Sequence, residues 1–221
     1  MITPRLNSIL KHVTGKIIAD IGTDHAYIPI KLAQDKKIIH AIACDIKEGP
    51  LAIAKKNVDK YDLSDIIELR LGAGLEPLNP GEADTVVIAG MGGEMIINIL
   101  KNEKSSTFNE FLLQPMNCQA ELRKWLLNNG FTIISEDLSK EGFKVYNLLK
   151  VRPGSMESFK NELQYHLPEY LYENPLFPML FEKKKREFTK ILTGLKKSEN
   201  KDQLLIDKYS GLLKEMENIC F

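Results

Sequence analysis

The sequence predicts an α/β fold: an open, mostly parallel sheet with helices on both faces, closed at one edge by an antiparallel hairpin. Three observations predict it. Short apolar, β-branched runs alternate with amphipathic stretches from Lys16 to about Val151, the pattern of a doubly wound sheet. The first run, KIIADIG, breaks into the turn Gly22-Thr23-Asp24-His25-Ala26, and Asp45 closes the run that follows. That arrangement makes a ligand pocket at the carboxyl ends of parallel strands. The last two runs leave no room for a helix between them, so they pair antiparallel.

The elements follow in order. Ile17–Ile21 is apolar apart from Asp20 and reads as a buried central strand. A helix runs through Ile30–Gln34, His40–Asp45 is the second strand, Ala52–Lys60 is helical, and Ile66–Leu71 is the third strand. Thr85–Ala89 is the fourth, ending at Gly90-Met91-Gly92-Gly93 before an apolar-periodic helix through Leu100. Phe111–Gln114 is the fifth. Asn117 reads as the N-cap of a helix over Cys118–Asn128, with Asn129-Gly130 as its stop. Phe131–Asp137 and Lys144–Val151, separated by Leu138–Phe143, complete seven strands as a terminal hairpin.

Composition shifts at Arg152-Pro153-Gly154, which divides the chain into residues 1–153 and 154–221. In the second part Leu180, Phe181, Phe188, Ile191, Leu192 and Leu195 fall at helical spacing, as do Leu205, Tyr209, Leu212, Leu213, Met216 and Ile219. With Lys197–Lys201 as a polar connector, they predict a coiled-coil-like helical hairpin whose apolar stripes serve packing.

The 30 basic residues balance 30 acidic ones, so a nucleic-acid partner must be held by local patches. Cys44, Cys118 and Cys220 form no CxxC pair, which predicts neither a metal site nor a disulfide framework. No apolar run reaches membrane-spanning length, and a secretory leader pattern is missing. The expectation is a cytoplasmic protein without membrane or metal, a monomer by default.

The chemistry concentrates after the strands. Gly22 lets the backbone turn tightly against a ligand, and Asp20 beside it accepts hydrogen bonds from an ammonium group. Asp20 and Asp24 would repel a pyrophosphate, and the turn lacks GxGxxG, which argues against a nicotinamide cofactor. S-adenosylmethionine (SAM), which carries an ammonium, fits instead. Asp45 follows Gly22 by the roughly 20 residues expected of an acid that binds ribose hydroxyls. His25 and Tyr27 face the same cleft. Gly72-Ala73-Gly74-Leu75 follows the third strand, where adenine would lie. Ala89-Gly90-Met91-Gly92-Gly93 permits close approach of a ligand or substrate base, and Gln114-Pro115-Met116 forms a further wall.

DIGTDHAYIP, AGMGGEMI and FLLQPMNCQAELRKWL followed by GF resemble the TrmK family of bacterial tRNA methyltransferases along essentially the whole chain. The resemblance implies a class I SAM-dependent, Rossmann-like methyltransferase domain with a helical extension. It also implies methyl transfer from SAM to N1 of adenine at position 22 of tRNA. By position it puts Asp20, Gly22, Thr23, Asp24, His25, Asp45 and Gly72–Leu75 around SAM, with Ala89, Gly90 and Met91 beside it. Arg5 becomes a partner for the methionine carboxylate or a tRNA phosphate. Asp24, His25, Gly90 and Met91 are the expected positioning residues at the reacting atoms, Asp24 stabilising the charge gained by the methylated ring. Gly90–Gly93 stands where adenine-modifying relatives of this fold hold an Asn/Asp-Pro-Pro-Tyr/Phe element, so the usual carboxamide and stacking aromatic are missing there. Arg123, Lys124, Lys183, Lys184, Lys185 and Arg186, with Arg5 and Lys11, are the expected RNA contacts. Two alternatives stay open: a methyltransferase of this fold acting on a small molecule or protein, and a silent SAM- or RNA-binding module.

Overall fold

The computed structural model describes residues 2–198 and 200–221. It falls into two compact units, Met1–Ser158 and Phe159–Phe221. The first opens with helix α1 (Pro4–His12), which the sequence reading leaves unassigned. Thr3 Oγ1 caps it by accepting from the Leu6 amide, and Pro4 occupies its first turn, where a missing N–H costs nothing. Then come β1 (Ile17–Ile21), α2 (Tyr27–Gln34), β2 (His40–Asp45), α3 (Glu48–Lys60) and β3 (Ile67–Leu71). The chain continues with β4 (Thr85–Met91), α4 (Gly93–Leu100), β5 (Glu110–Pro115), α5 (Gln119–Asn128), β6 (Phe131–Glu141) and β7 (Lys144–Pro153).

The seven strands form one sheet in the order β3-β2-β1-β4-β5-β7-β6. All neighbours are parallel except the pairs made by β7. Ile18, Ala41, Ala43, Val87 and Leu112 are buried on one face with α1 to α3, as runs covered on both faces must be. The terminal hairpin is longer and tighter than its sequence suggests. β6 continues to Glu141, and only Gly142 and Phe143 make the turn, with Gly142 at φ 57°. Type II′ hairpins give glycine that place.

One capping expectation fails. The residue that caps α5 is Cys118, in the left-handed conformation at φ 51°, and no side chain caps the helix. Asn117 instead turns toward α4, where its Oδ1 accepts from the Gly93 amide at 3.2 Å. An extra Cβ on Gly93 would lie 2.6 Å from the Cys118 carbonyl oxygen, so the two loops pack backbone to backbone.

The second unit contains α6 (Glu162–His166), α7 (Phe177–Lys197) and α8 (Gln203–Met216). α7 and α8 pack as a helical hairpin on Leu180, Phe188, Leu212 and Met216. On α8 Leu212 and Met216 are buried as expected, but in the first turn the buried residue is Ile206, with Leu205 40% exposed. Within the expected connector Lys197–Lys201, Glu199 lies outside the described residues.

Candidate functional site

β1 and β4 are neighbours in the sheet, yet the chain runs outward through β2 and β3 between them. The helices that follow β1 and β4 therefore leave in opposite directions, and a crevice opens at the carboxyl ends. The turn after β1 is pinned to β2, since the amides of Gly22 and Thr23 both donate to the Cys44 carbonyl at 2.8 and 2.9 Å. Two cavities of about 390 Å³ each occupy the crevice, and Gly22 lines both.

The first cavity is mainly apolar. Ile46, Leu75, Met91, Met95 and Ile99 line it with the Gly72-Ala73-Gly74 backbone, and Asp45 and Glu76 are the acids in its lining. The turn after β3 is held by the Gly72 amide donating to the Asp45 carbonyl at 3.0 Å. Asp45 Oδ1 accepts from the Lys47 amide at 2.8 Å, which fixes the carboxylate at the rim. Gly74 is required for its backbone (φ 53°) and for its closeness to Ile99.

The second cavity is polar and carries charges of both signs. Arg5, Asp20, Thr23, Asp24, His25, Tyr27, Ala89 and Gly90 line it. Asp20 is buried and accepts the Thr23 hydroxyl at 2.7 Å. Burial pushes its carboxyl up to about 6; the Thr23 hydrogen bond opposes the shift and the Asp45 charge adds to it. Arg5 Nη1 donates to Gln114 Oε1 at 2.8 Å, and the same oxygen accepts from the Gly90 amide at 3.2 Å. Gln114 is thus the post that fixes both the guanidinium and the irregular end of β4, where the pairing with β5 shifts between Ala89 and Met91. His25 Nε2 lies 3.1 Å from Asp24 Oδ2, and its ring stacks on Tyr27 at 5.0 Å and 16°. Asp24 is itself largely exposed at the mouth.

Gly22 joins the two cavities with φ 77°, and a Cβ there would lie 2.2 Å from the Met91 methyl. Every expected residue of the SAM and positioning sets, Arg5 included, thus lines one of the two cavities. Ile46, Met95, Asn98 and Ile99 line the first cavity without having been singled out from the sequence. The helical period of α4 was the available signal, because residues three and four apart share the face toward the crevice.

Two of the expected RNA contacts are not at the surface. Arg123 is fully buried on α5, its Nε donating to Glu136 Oε2 at 3.0 Å, and Glu136 Oε1 also accepts from Asn147 at 2.7 Å. Arg123 is a core ion pair that ties α5 to the hairpin, which removes it from any RNA surface. Lys184 is 6% exposed on α7 and bonds Glu187 at 3.0 Å. Lys183 is half-buried, while Lys124, Lys185 and Arg186 are exposed. Among the described residues no cluster of three or more His, Cys, Asp or Glu could hold a metal ion. No helix there is long and apolar enough to cross a membrane.

Residues 2–149 match a family model described as a methyltransferase domain. The Bacillus subtilis tRNA (adenine(22)-N(1))-methyltransferase is 36% identical over 160 residues, 71% of this chain and 67% of that protein. The structure of Mycoplasma capricolum TrmK with S-adenosyl-homocysteine (SAH) superposes at a TM-score of 0.80 with 31% identity, covering 96% of this chain and 95% of that one. The chain belongs to the TrmK methyltransferase family. Streptococcus pneumoniae Sp1610 in complex with S-adenosyl-L-methionine is equally similar: TM-score 0.84, 32% identity, 98% of this chain and 99% of that one. TrmK structures therefore match both units of the chain and include ligand complexes with the methyl donor and its product.

Proposed function

We propose that this protein transfers a methyl group from SAM to N1 of adenine 22 in tRNA. The single observation that carries the cofactor reading is the division of the crevice at Gly22. On one side lies a mainly apolar cavity with the Asp45 and Glu76 carboxylates in its lining, on the other a polar cavity with the Asp20 and Asp24 carboxylates and the Arg5 guanidinium. The first suits a nucleoside, with Leu75 and Ile99 against the base and Asp45 accepting from the ribose hydroxyls. The second suits a zwitterionic amino acid, with Asp20 for the ammonium and Arg5 for the carboxylate. SAM joins those two parts, and relatives of this chain hold SAM and SAH. The N1 and position-22 assignment follows the relatives' reaction.

When bound, SAM supplies a methyl on positively charged sulfur, and the sulfur leaves with the bonding electron pair. The adenine N1 lone pair forms the new bond, so no base has to generate the nucleophile. The chain's task is orientation, which accounts for much of the rate in reactions of this kind. Tyr27 presents an aromatic face at the second cavity, backed by His25. It stands in for the stacking aromatic that Gly90–Gly93 does not supply. Gly90, without a side chain, lets the base approach β4, and the Asp24 carboxylate opposes the positive charge that the ring acquires. Of the basic residues expected at the RNA, Lys11, Lys124, Lys185 and Arg186 are exposed and offered to tRNA phosphates. The monomer is the catalytic unit of this proposal, and tRNA as substrate makes the cytoplasm its compartment.

Mass spectrometry of nucleosides from tRNA incubated with the protein and SAM tests this proposal. The expected product is 1-methyladenosine. Methylation of a protein or small molecule with tRNA left unmodified would refute it.

A further inference from the structure

N1 lies on the pairing edge of adenine, so a paired target must be pulled from its helix before it can react. The two cavities of the crevice do not do this, since they receive the base only once it is out. We propose that the β6–β7 hairpin holds the target adenine out, with Phe143 at its tip entering the RNA stack and Lys140 and Lys144 gripping the phosphates beside it. The inference rests on the tRNA reading of the function.

Phe143 is 101% exposed, the most exposed large hydrophobic side chain among the described residues. A scattered exposed aromatic needs no explanation; this one has a rigid mount and a place. β5 pairs with β7 only through Phe111–Leu113 and Leu149–Val151, so the outer half of the hairpin projects beyond the rest of the sheet. It is nevertheless anchored. Leu138 and Val145 are buried, the ladder continues without a break from Ser135 to Glu141, and a two-residue turn closes it. The tip is therefore held rather than floppy, which is what a wedge requires.

Arg5 fixes where the tip stands. Its Nε lies 3.9 Å from Glu141 Oε2 and its guanidinium carbon 5.9 Å from the Tyr146 ring centre, while the same side chain lines the second cavity. The turn follows Glu141 directly, so Phe143 stands roughly 3 to 7 Å further out along the hairpin. Lys140 and Lys144 flank it and are exposed. The Glu141 charge is faced by Arg5, which leaves the tip with a positive sign suited to a phosphate backbone. An apolar wedge between base steps with cations on the adjoining phosphates is how proteins unstack a helix locally.

The test compares wild type, Phe143→Ala, Phe143→Trp and the double variant Lys140→Ala/Lys144→Ala in single-turnover methylation of two tRNAs. One has the target adenine paired; the other carries a changed opposite base, so that the adenine cannot pair. Phe143→Ala is expected to slow the paired substrate about tenfold to a hundredfold, the range of one base–aromatic stack. The loss should shrink to under about threefold on the unpaired one, because that base needs little extrusion. Phe143→Trp should restore the rate, and the lysine pair should weaken binding of both RNAs. SAM affinity and melting temperature should stay at wild-type values in all variants. With 2-aminopurine at the target position, wild type should brighten the probe on binding and Phe143→Ala should not. An unchanged rate for Phe143→Ala, or an equal loss on both RNAs, overturns the wedge. A wild type inactive on both RNAs overturns the tRNA reading, and this inference with it.

Discussion

Replacing Gly22 with alanine tests the junction of the two cavities. The residue sits at φ 77°, where an L side chain costs roughly 1–2 kcal/mol. Its new Cβ would lie 2.2 Å from the Met91 methyl. Carbon atoms rest about 3.5–4.0 Å apart, so the methyl must retreat by roughly 1.5 Å. Methionine can do that, but Met91 lines the nucleoside cavity, and its displacement narrows the space there. Backbone strain alone should lower the melting temperature by roughly 2–8 °C. The displaced methyl should weaken SAM binding at least about tenfold, equivalent to about 1.4 kcal/mol. Gly130→Ala separates the two effects. Gly130 shares φ 77° and has nothing within 4 Å of a built Cβ, so it carries the strain without the contact. Calorimetric titration with SAM and a thermal melt of both variants give the answer. Equal melting losses with a SAM defect confined to Gly22→Ala are expected. Wild-type SAM affinity in Gly22→Ala, or the same defect in both, would refute the assignment of Gly22 to the cofactor.

The remaining predictions concern charge. Asp20 is raised from 3.8 to about 6 by burial, so as pH rises through that window its ionisation is resisted and this group costs stability. An α-ammonium favours the ionised carboxylate. SAM affinity should therefore strengthen as pH rises through about 6, and Asp20→Asn should bind more weakly with that dependence flattened, as read by titrations between about pH 5 and pH 8. Arg123→Ala strands Glu136 in the core and should cost roughly 3–5 kcal/mol in denaturant unfolding. A fully stable Arg123→Ala that binds tRNA poorly would restore a surface role for this arginine. Lys185→Glu with Arg186→Glu should weaken tRNA binding and reduce its salt dependence while SAM affinity holds, since each phosphate left without its cation takes about 0.7–0.9 off the salt slope. Unchanged tRNA affinity would exclude that patch.

Much of this was legible in the sequence because central parallel strands must be apolar along their whole length, as Ile17–Ile21 and His40–Asp45 nearly are. The turn carrying Gly22 and the acid at Asp45 follow from the same logic, so the crevice could be read before its shape was known. Helix α1 was also readable from Thr3-Pro4 and the spacing of Leu6, Ile9 and Leu10, yet the short polar-flanked stretch offered no strand to pair it with. Lys184 is the instructive miss. A run of four basic residues reads as a solvated face, but Leu180, Phe181 and Phe188 set a period that places Lys184 on the buried side. Arg123 was not legible, because its partner Glu136 comes from the hairpin and not from its own helix. Nor was the left-handed Cys118, a backbone state that side-chain chemistry at Asn117 does not reveal.

Position-resolved detection of methylation tests the central claim most directly. Purified protein, SAM and a tRNA carrying adenine 22 should yield a reverse-transcription stop at that nucleotide and 1-methyladenosine in the digest. The same tRNA with guanine at position 22 should give neither. Methylation that persists without adenine 22, or its absence from both RNAs while SAM is bound, would contradict the account.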